Sequence, residues 1–297
     1  MTEFRPIATP TRTVDIMKRY DIKMKKSLGQ NFLIEPRMLE KMIQAGQIDQ
    51  TTTVIEIGPG IGALTQYLAH YAERVLAFEI DQRFVSILGE TLADYDNVQI
   101  IPQDILKVNF AADELTWLRQ VSRLVVVANL PYYITTPIIM HLIESGLPFD
   151  RLVMMMQKEV AERMTAQVGT KAYNSLTIAI QQNMEAKIDF IVPKNVFIPK
   201  PNVDSAVLVL TRRQSPLVHV SDPLAFQSFV QVAFQQRRKT LWNNLKTALV
   251  NSDYSVDRLQ ELFDQTGIEP VRRAETLSIH EFAHLFQLYQ QQNSLVN

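Results

Sequence analysis

The feature that most constrains the fold is a regular alternation of β-forming runs with helical segments between Thr52 and Gln157. Apolar, β-rich runs predict strands at 52–57, 74–81, 97–105, 123–130 and 151–157, and apolar spacing predicts helices at 63–72, 82–92 and 137–145. Strands separated by helices indicate a doubly wound α/β domain with a mostly parallel sheet. A helix at 36–48 precedes this region, and a late strand is predicted at 206–213.

After that strand the pattern is helical to the end of the chain, beginning with the stretch "DPLAFQSFVQVAFQQRRKTLWNNL". We place the domain boundary in the polar stretch 214–221. Residues 1–213 are then an α/β domain with a basic N-terminal segment, and residues 214–297 are a small all-helical domain. A chain of 297 residues, 46% apolar, can fill two such domains.

Composition limits the cellular compartments and the types of partner that the chain can have. The chain has no cysteine, which excludes disulfides and thiolate metal sites and fits a reducing compartment. No apolar run approaches the ~18 residues of a membrane span, so we expect a cytoplasmic protein with no membrane partner. The net charge of −1 argues against indiscriminate polyanion binding, but basic residues cluster at 12–26 and 212–239. Such clusters suit phosphate contacts, although most charge runs are solvated faces.

A glycine-rich loop, "EIGPGIGA", links the first predicted strand of the alternating region to its helix, with glycines at 58, 60 and 62. The pattern suits a dinucleotide such as NAD, and a simple tight turn would also satisfy it. Acids at successive strand ends, Glu56, Glu79 and Asp104, favour a different cofactor. Glu79 can accept hydrogen bonds from both ribose hydroxyls, and Asp104 can accept one from the adenine amino group. Because loop 58–65 has no Lys or Arg for a pyrophosphate, the balance favours S-adenosylmethionine, whose sulfonium is positive.

The stretch "NLPYY" follows the fourth of these strands and suggests chemistry on an exocyclic adenine nitrogen. The side-chain oxygen of Asn129 and the carbonyl of Leu130 could grip the N6 hydrogens and aim the nitrogen lone pair. Pro131 fixes φ and has no competing N–H. Tyr132 offers a flat face for a flipped-out base, and catalysis would be mainly positioning. The alternative is a buried turn with a capping Asn.

Seven motifs occur in order: "SLGQNFL", "VIEIGPGIGALT", "FEID", "QDI", "NLPYYITTPI", "MMQKEVAERM" and "FIPKPNVDSAV". Together they closely resemble the ribosomal RNA adenine N6,N6-dimethyltransferases, which modify two adjacent adenosines in the 3′-terminal hairpin of small-subunit RNA. The resemblance covers about residues 25–245. It implies a Rossmann-like class I methyltransferase domain, S-adenosylmethionine as cofactor, and 16S rRNA in a small-subunit precursor as substrate. We expect such an enzyme to act as a monomer in ribosome biogenesis.

The resemblance also implies residue roles. Asn31 and Leu33 would close over the cofactor, while the remaining contacts would come from Gly58, Gly60, Glu79, Asp104 and Asn129. Phe197 would sandwich the target adenine against Tyr132, although a core aromatic is the alternative. A plausible RNA-facing helix would carry the phosphate contacts Arg237, Arg238 and Lys239. One departure is Asn174, where the family more often has Gly; because Asn tolerates positive φ, the backbone is expected to be kept.

Parts of the sequence also fit other functions. The run His280–His284 matches the H-E-x-x-H zinc pattern, but its apolar neighbours suggest core packing and no third ligand follows, so we expect no metal. A large-subunit adenine methyltransferase of the antibiotic-resistance type shares the cofactor motifs, but the Leu in "NLPY" and the long C-terminal region weigh against it. A non-catalytic assembly factor would have damaged motifs, and an NAD dehydrogenase would have no use for "NLPY".

Overall fold

The structure is a computed structural model that describes residues 4–22, 31–129, 134–249 and 254–294. It divides into two compact units. The first comprises Met1–Ala161 and Lys187–Arg212, and the second comprises Glu162–Ala186 and Arg213–Asn297. The predicted domains, 1–213 and 214–297, differ from these units at residues 162–186 and at Arg213, which belong to the second unit.

A seven-stranded sheet, in the order β4-β3-β2-β5-β6-β9-β7, forms the centre of the first unit. Its strands are β2 Thr53–Ile57, β3 Arg74–Phe78, β4 Val98–Ile101, β5 Leu124–Asn129, β6 Arg151–Gln157, β7 Met184–Val192 and β9 Ser205–Arg212. β4, β3, β2, β5 and β6 are parallel neighbours, while β9 runs antiparallel to β6. The mostly parallel sheet predicted from the alternation is confirmed.

Burial explains why the central strands could be predicted from the sequence. β2 and β5 are buried along almost their whole length, as expected for continuous apolar runs covered on both faces. The strand β7 was not predicted. Its residues alternate between exposed and more buried positions, as is typical of an edge strand with one solvated face.

The helices of the first unit begin at recognisable residues. They are α1 Pro10–Arg19, α2 Pro36–Gly46, α3 Ala63–Tyr71, α4 Gln82–Thr91 and α5 Thr135–Glu144, with α6 Lys158–Met164 at the unit boundary. Pro36 occupies the first turn of α2, and the Asp81 side chain accepts from the Arg83 N–H to cap α4. The helices follow their strands, which puts the β2–α3 and β3–α4 connections at the carboxyl edge of the sheet.

The N-terminal segment is anchored more firmly than its polar composition suggests. Ile7 and Ala8 are fully buried, and the Gln66 side-chain oxygen accepts from the Ile7 N–H at 2.8 Å. The Gln66 amide also donates to the Arg5 carbonyl at 3.0 Å. The chain before α1 is therefore held against α3.

A separate two-stranded antiparallel sheet pairs β1 Phe32–Leu33 with β8 Phe197–Ile198. The register sets Phe32 opposite Ile198 and Leu33 opposite Phe197, and Ile34 N–H donates to the Val196 carbonyl at 2.9 Å. Two segments almost 170 residues apart in the sequence are thereby joined.

The second unit is helical, with α7 Ser175–Gln181, α8 Pro223–Ala233, α9 Leu241–Leu249, α10 Val256–Thr266 and α11 Ile279–Ser294. Its core is rich in aromatic side chains, including Phe226, Phe229, Phe263, Phe282 and Phe286. The predicted helical pattern is found, but within "DPLAFQSFVQVAFQQRRKTLWNNL" it is interrupted by residues 234–240, which form turns between α8 and α9. Among the described residues, no helix combines the length and apolarity needed to cross a bilayer.

Candidate active site

A cavity of about 230 Å³ lies at the carboxyl ends of the parallel strands. Eight residues predicted for the site line it: Asn31, Leu33, Gly58, Gly60, Glu79, Asp104, Asn129 and Phe197. Leu130, Pro131 and Tyr132 lie outside the described residues, so their roles stay predictions. Every described residue predicted for cofactor or adenine binding thus lies on one cavity, although the residues come from separate parts of the chain.

The glycine-rich loop turns the chain from β2 into α3 along the cavity wall. Gly58 and Gly60 have positive φ values of 71° and 59°, which side chains other than Gly adopt only with strain. Gly60 is also crowded, because a Cβ there would lie 3.3 Å from Cε1 of Phe32. The loop therefore needs glycine at 60 for its backbone and for close packing against β1.

Glu79 directly follows β3 and is only 6% exposed. One carboxylate oxygen accepts from the Gly60 N–H at 3.2 Å, and the other accepts from the Asp81 N–H at 2.8 Å. Burial raises the pKa of Glu79, while these two backbone donors act in the opposite direction. The carboxyl group is thus fixed at the mouth of β3, where the sequence predicted a ribose contact.

Glu56 lies within β2 and is 1% exposed, yet it lines the cavity. Its Oε2 has no hydrogen-bond partner among the described residues. The pKa of Glu56 is raised to about 8, mainly by burial; the neighbouring Thr65 hydroxyl opposes the shift, and the nearby charge of Glu79 adds to it. In the ligand-free cavity this carboxyl is therefore largely neutral at pH 7. A bound cation would favour its ionised form.

This buried carboxyl makes stability depend on pH. Folding favours the neutral form of the Glu56 carboxyl. The stability that this gives is fully present below the ordinary pKa of 4.5 and is lost as pH rises towards about 8. Within that window, we expect the free energy of unfolding to fall by up to about 1.4 kcal/mol per pH unit because of this group. Glu56→Gln should lack that decline. Denaturant unfolding of the ligand-free wild type and of Glu56→Gln, at several pH values between 4.5 and about 8, measures the two free energies of unfolding. The same pH dependence in both proteins would contradict the prediction.

Asp104 lies beyond the end of β4, which stops at Ile101 instead of continuing to residue 105 as predicted. Its side chain accepts from the Leu106 N–H at 3.1 Å and so caps the short 3₁₀ turn Ile105–Lys107. The cap holds Asp104 on the cavity wall. The predicted position at a strand end was therefore approximate, but the predicted place on the cavity holds.

Asn129 is the last residue of β5, half-buried and opposite Met155 of β6. Its side-chain nitrogen donates to the Asn31 carbonyl at 3.4 Å. Because the amide has its donors and its acceptor on opposite sides, this contact turns Oδ1 away from Asn31. The arrangement places the amide of Asn129 at the end of a buried strand, on the cavity that Phe197 also lines.

Two apolar residues that the sequence analysis did not single out also line the cavity. Ile80 follows Glu79 and is 65% exposed, while Ile105 follows Asp104 and is 5% exposed. They offer apolar surface to a flat ring, and an exposed isoleucine of this kind suggests a ligand. The signal was present in "FEID" and "QDI", where each acid precedes an isoleucine.

The predicted phosphate contacts Arg237, Arg238 and Lys239 belong to the second unit and lie in the exposed turns between α8 and α9. The prediction that a helix carries them is wrong. Arg237 donates to the Lys171 carbonyl and lies 3.7 Å from the Glu275 carboxylate. Arg238 and Lys239 are exposed. Two of the three cations are therefore better placed than Arg237 to meet a phosphate.

Buried Asn244 explains why the helix breaks there. Its side chain is 2% exposed, donates to the Ala233 carbonyl at 2.8 Å and accepts from the Gln236 N–H at 3.1 Å. It also donates to the Gln236 carbonyl at 3.2 Å. These contacts satisfy backbone groups at the end of α8 that a continuous helix would pair internally.

The H-E-x-x-H pattern has a structural explanation. His280 and His284 are exposed on α11, whereas Glu281 accepts from the Ser278 N–H at 2.7 Å and pairs with Arg272 at 2.5 Å. Glu281 thus stabilises the start of the helix. Within the described ranges, no three His, Asp or Glu side chains cluster in a way that could hold a metal ion.

Asn174 does not adopt the positive φ that was expected of it. Its φ is −159°, and its side chain accepts from the Leu176 N–H at 2.8 Å, so it caps α7. The Thr177 hydroxyl accepts from the Asn174 N–H in return. A helix cap, which glycine provides less well, accounts for asparagine here.

Comparison with known proteins gives a consistent result. A family model described as ribosomal RNA adenine dimethylase matches residues 22–291. Ribosomal RNA small subunit methyltransferase A of Enterococcus faecalis is 51% identical over 285 residues, covering 96% of this chain and 97% of that protein. The protein of the same name from Streptococcus pneumoniae is 51% identical over 279 residues, covering 94% and 96%.

Solved structures agree with the fold. A dimethyladenosine transferase from Plasmodium falciparum matches with a TM-score of 0.74 and 26% identity, covering 88% of this chain and 98% of that one. A 23S rRNA methyltransferase matches with a TM-score of 0.65 and 24% identity, covering 88% and 100%, which shows the fold alone. The predicted Rossmann-like α/β domain with a helical C-terminal region is confirmed, and the chain belongs to the ribosomal RNA adenine dimethylase family.

Proposed function

We propose that this chain transfers methyl groups from S-adenosylmethionine to N6 of two adjacent adenosines in the 3′-terminal hairpin of 16S rRNA, within a small-subunit precursor. The observation that carries the proposal is the placement of Asn129, Glu79 and Phe197 on one cavity at the carboxyl edge of the sheet. The curated relatives are named for the small subunit, which favours it over the large subunit as substrate.

The cavity suits a cationic cofactor without phosphates. The carboxyl groups of Glu56 and Glu79 lie on its wall, and one oxygen of Glu56 lacks a partner among the described residues. No Lys, Arg or His is among the described residues that line it. A pyrophosphate would find no counter-charge on this wall, whereas a sulfonium or an ammonium group would be attracted to the carboxyl groups.

The chain's contribution to the reaction is positioning. Bound S-adenosylmethionine supplies an electrophilic methyl group on a sulfonium. Asn129 Oδ1, together with the Leu130 carbonyl, would accept the N6 hydrogens and so direct the nitrogen lone pair at that methyl group. Phe197 and Tyr132 would hold the flipped base by stacking. The methylated nitrogen then releases its proton to water, so the site needs no general base.

The second unit would hold the RNA by its phosphates, mainly through Arg238 and Lys239. Residues 1–213 would then serve as the catalytic domain and residues 214–297 as the RNA-contacting domain of a cytoplasmic, monomeric enzyme. Phosphate contacts position a substrate without reading its sequence. Recognition of the two adenosines therefore falls to the cavity and to the shape of the subunit.

The double variant Arg238→Gln/Lys239→Gln should weaken binding to undermethylated small subunits. It should also flatten the log-log salt dependence by about one unit for each lost phosphate contact. Arg237→Gln should have a smaller effect because Arg237 already lies near Glu275. Lys187→Gln, which removes an exposed cation beside Asp189, is the control. Filter binding at several salt concentrations measures the slopes, and an unchanged slope in the double variant would assign these residues to a solvated face.

The substrate class can be tested with both ribosomal subunits. Small and large subunits from cells lacking adenine dimethylation are incubated separately with the protein and S-adenosylmethionine labelled in its methyl group. We expect label in the small-subunit RNA only. Label in large-subunit RNA would support the antibiotic-resistance type of enzyme, and no label in either would favour a non-catalytic assembly factor.

A further inference from the structure

We propose that Phe32 is a positioning residue that aligns the catalytic amide of Asn129 with the adenine-binding segment at Phe197. Phe32 itself lines the cavity, but this role does not depend on a contact between Phe32 and a reacting group. It acts by holding the β1–β8 pair against the cofactor loop, so the inference rests on the proposed function of the cavity.

The β1–β8 pair is too short to hold itself in place. Each strand has two residues, and the Ile34-to-Val196 hydrogen bond adds one further backbone contact. Isolated two-stranded pairs are marginal in water even when they are longer. Their position must therefore come from side-chain packing.

Phe32 provides that packing. Its side chain is 8% exposed and meets Phe84 of α4 edge to face, with ring centroids 5.9 Å apart. On another side its ring lies so close to Gly60 that a Cβ there would be only 3.3 Å away. Phe32 is thus wedged between α4 and the glycine-rich loop, two elements that follow strands of the rigid sheet.

Two groups needed for the reaction follow the position of Phe32. The Asn31 carbonyl, one residue earlier, accepts from the Asn129 side-chain nitrogen, and Ile198, next to Phe197, pairs with Phe32. The Asn31–Asn129 contact is 3.4 Å long, near the limit for a hydrogen bond, so a shift of a few tenths of an ångström would break it. The Asn129 amide could then rotate, and its Oδ1 would no longer point reliably at N6.

The test compares Phe32→Ala and Phe32→Leu with Phe149→Leu. Phe149 is also buried but lies just before β6, at the opposite edge of the sheet from the cavity. We expect Phe32→Ala to lower the single-turnover rate on undermethylated small subunits by about 100-fold at saturating cofactor, as for other small misplacements of catalytic groups. Phe32→Leu should lose less, and Phe149→Leu should stay near the wild-type rate.

Three further readouts separate positioning from a general loss of structure. Affinity for S-adenosylhomocysteine, measured by calorimetry, should change only about threefold in Phe32→Leu, far less than the rate. Hydrogen exchange at the Ile34 amide should speed up at least about tenfold, while amides of β2 keep their protection. Phe32→Leu should lower the logarithm of the single-turnover rate less than half as much in an Asn129→Ala background as in the wild type. The reason is that both changes remove the same alignment.

Each outcome has one interpretation. Unchanged exchange at Ile34, full additivity with Asn129→Ala, or an equal rate loss in Phe149→Leu would overturn the role of Phe32. A wild-type chain that binds S-adenosylhomocysteine but methylates no small subunit would instead refute the proposed function, and the inference with it. An active, Asn129-dependent enzyme with additive Phe32 variants overturns the inference alone.

Discussion

Asn129→Ala should lower the single-turnover rate of adenine methylation by about two orders of magnitude, because one of the two acceptors that aim the N6 lone pair is lost. The contact with N6 matters mainly in the transition state, so binding of the cofactor should change much less. Asn129 lies at the end of β5 with its amide nitrogen donating to the Asn31 carbonyl, which turns its oxygen away from Asn31; we propose that this oxygen faces the base. Single-turnover assays with saturating cofactor measure the rate.

The same variant should alter the product. The monomethylated intermediate has one N6 hydrogen left and depends on a single well-placed acceptor. Loss of Asn129 should therefore raise the ratio of mono- to dimethyladenosine in digested RNA, as measured by mass spectrometry. A variant whose cofactor affinity falls as steeply as its rate, with an unchanged product ratio, would make Asn129 a cofactor ligand and not an aligning group.

Glu79→Ala should weaken cofactor binding roughly 10- to 100-fold, the range expected when a charge-assisted hydrogen bond is removed. The carboxylate is 6% exposed and already held by the N–H groups of Gly60 and Asp81, so it is preorganised for a ribose. Loss of the Gly60 contact would also loosen the glycine-rich loop. Binding to the small subunit should be nearly unchanged, since the proposed phosphate contacts lie in the other unit.

Glu79→Gln provides the matched comparison. It keeps the shape and one acceptor, so its cofactor affinity should fall between those of the wild type and Glu79→Ala. Calorimetry with S-adenosylmethionine and with S-adenosylhomocysteine gives both affinities. If Glu79→Ala binds the cofactor as tightly as the wild type does, the ribose assignment is wrong.

The α/β domain could be predicted because its strands are buried on both faces and therefore appear as continuous apolar runs. Residues 124–129 and 151–157 illustrate this, since both strands are found close to the predicted bounds. The common location of the candidate site residues could be predicted because parallel strands bring their carboxyl ends to one edge. Glu79 and Asn129 are 50 residues apart, yet each follows or ends a strand and lines the same cavity.

Three features of the structure were not predicted, and two of them depend on contacts between separate elements. Nothing local to "QQRRKT" breaks a helix; the break is stabilised by the buried side chain of Asn244, which follows on the next helix. The pairing of Phe32 with Ile198 joins segments whose meeting no local pattern indicates. The edge strand β7 is the third, and its alternation of apolar and polar residues is a local pattern typical of a half-buried strand.

The protonation of the cavity acids also lay beyond the sequence. A sulfonium is attracted most strongly to ionised carboxylates, but burial raises the pKa of Glu56 to about 8 and also raises the pKa of Glu79. A positively charged cofactor bound nearby would lower the pKa values of both carboxyl groups. The preference for a cation thus survives, although part of the negative charge develops only when the cation binds.

The most direct test of the central claim is base-resolved mass spectrometry of 16S rRNA from undermethylated small subunits after incubation with this protein and S-adenosylmethionine. The account predicts N6,N6-dimethyladenosine at two adjacent positions in the 3′-terminal hairpin, and its loss when Asn129 is replaced by Ala. Methylation at another atom or another site, or dimethylation that persists at the full rate in Asn129→Ala, would contradict it.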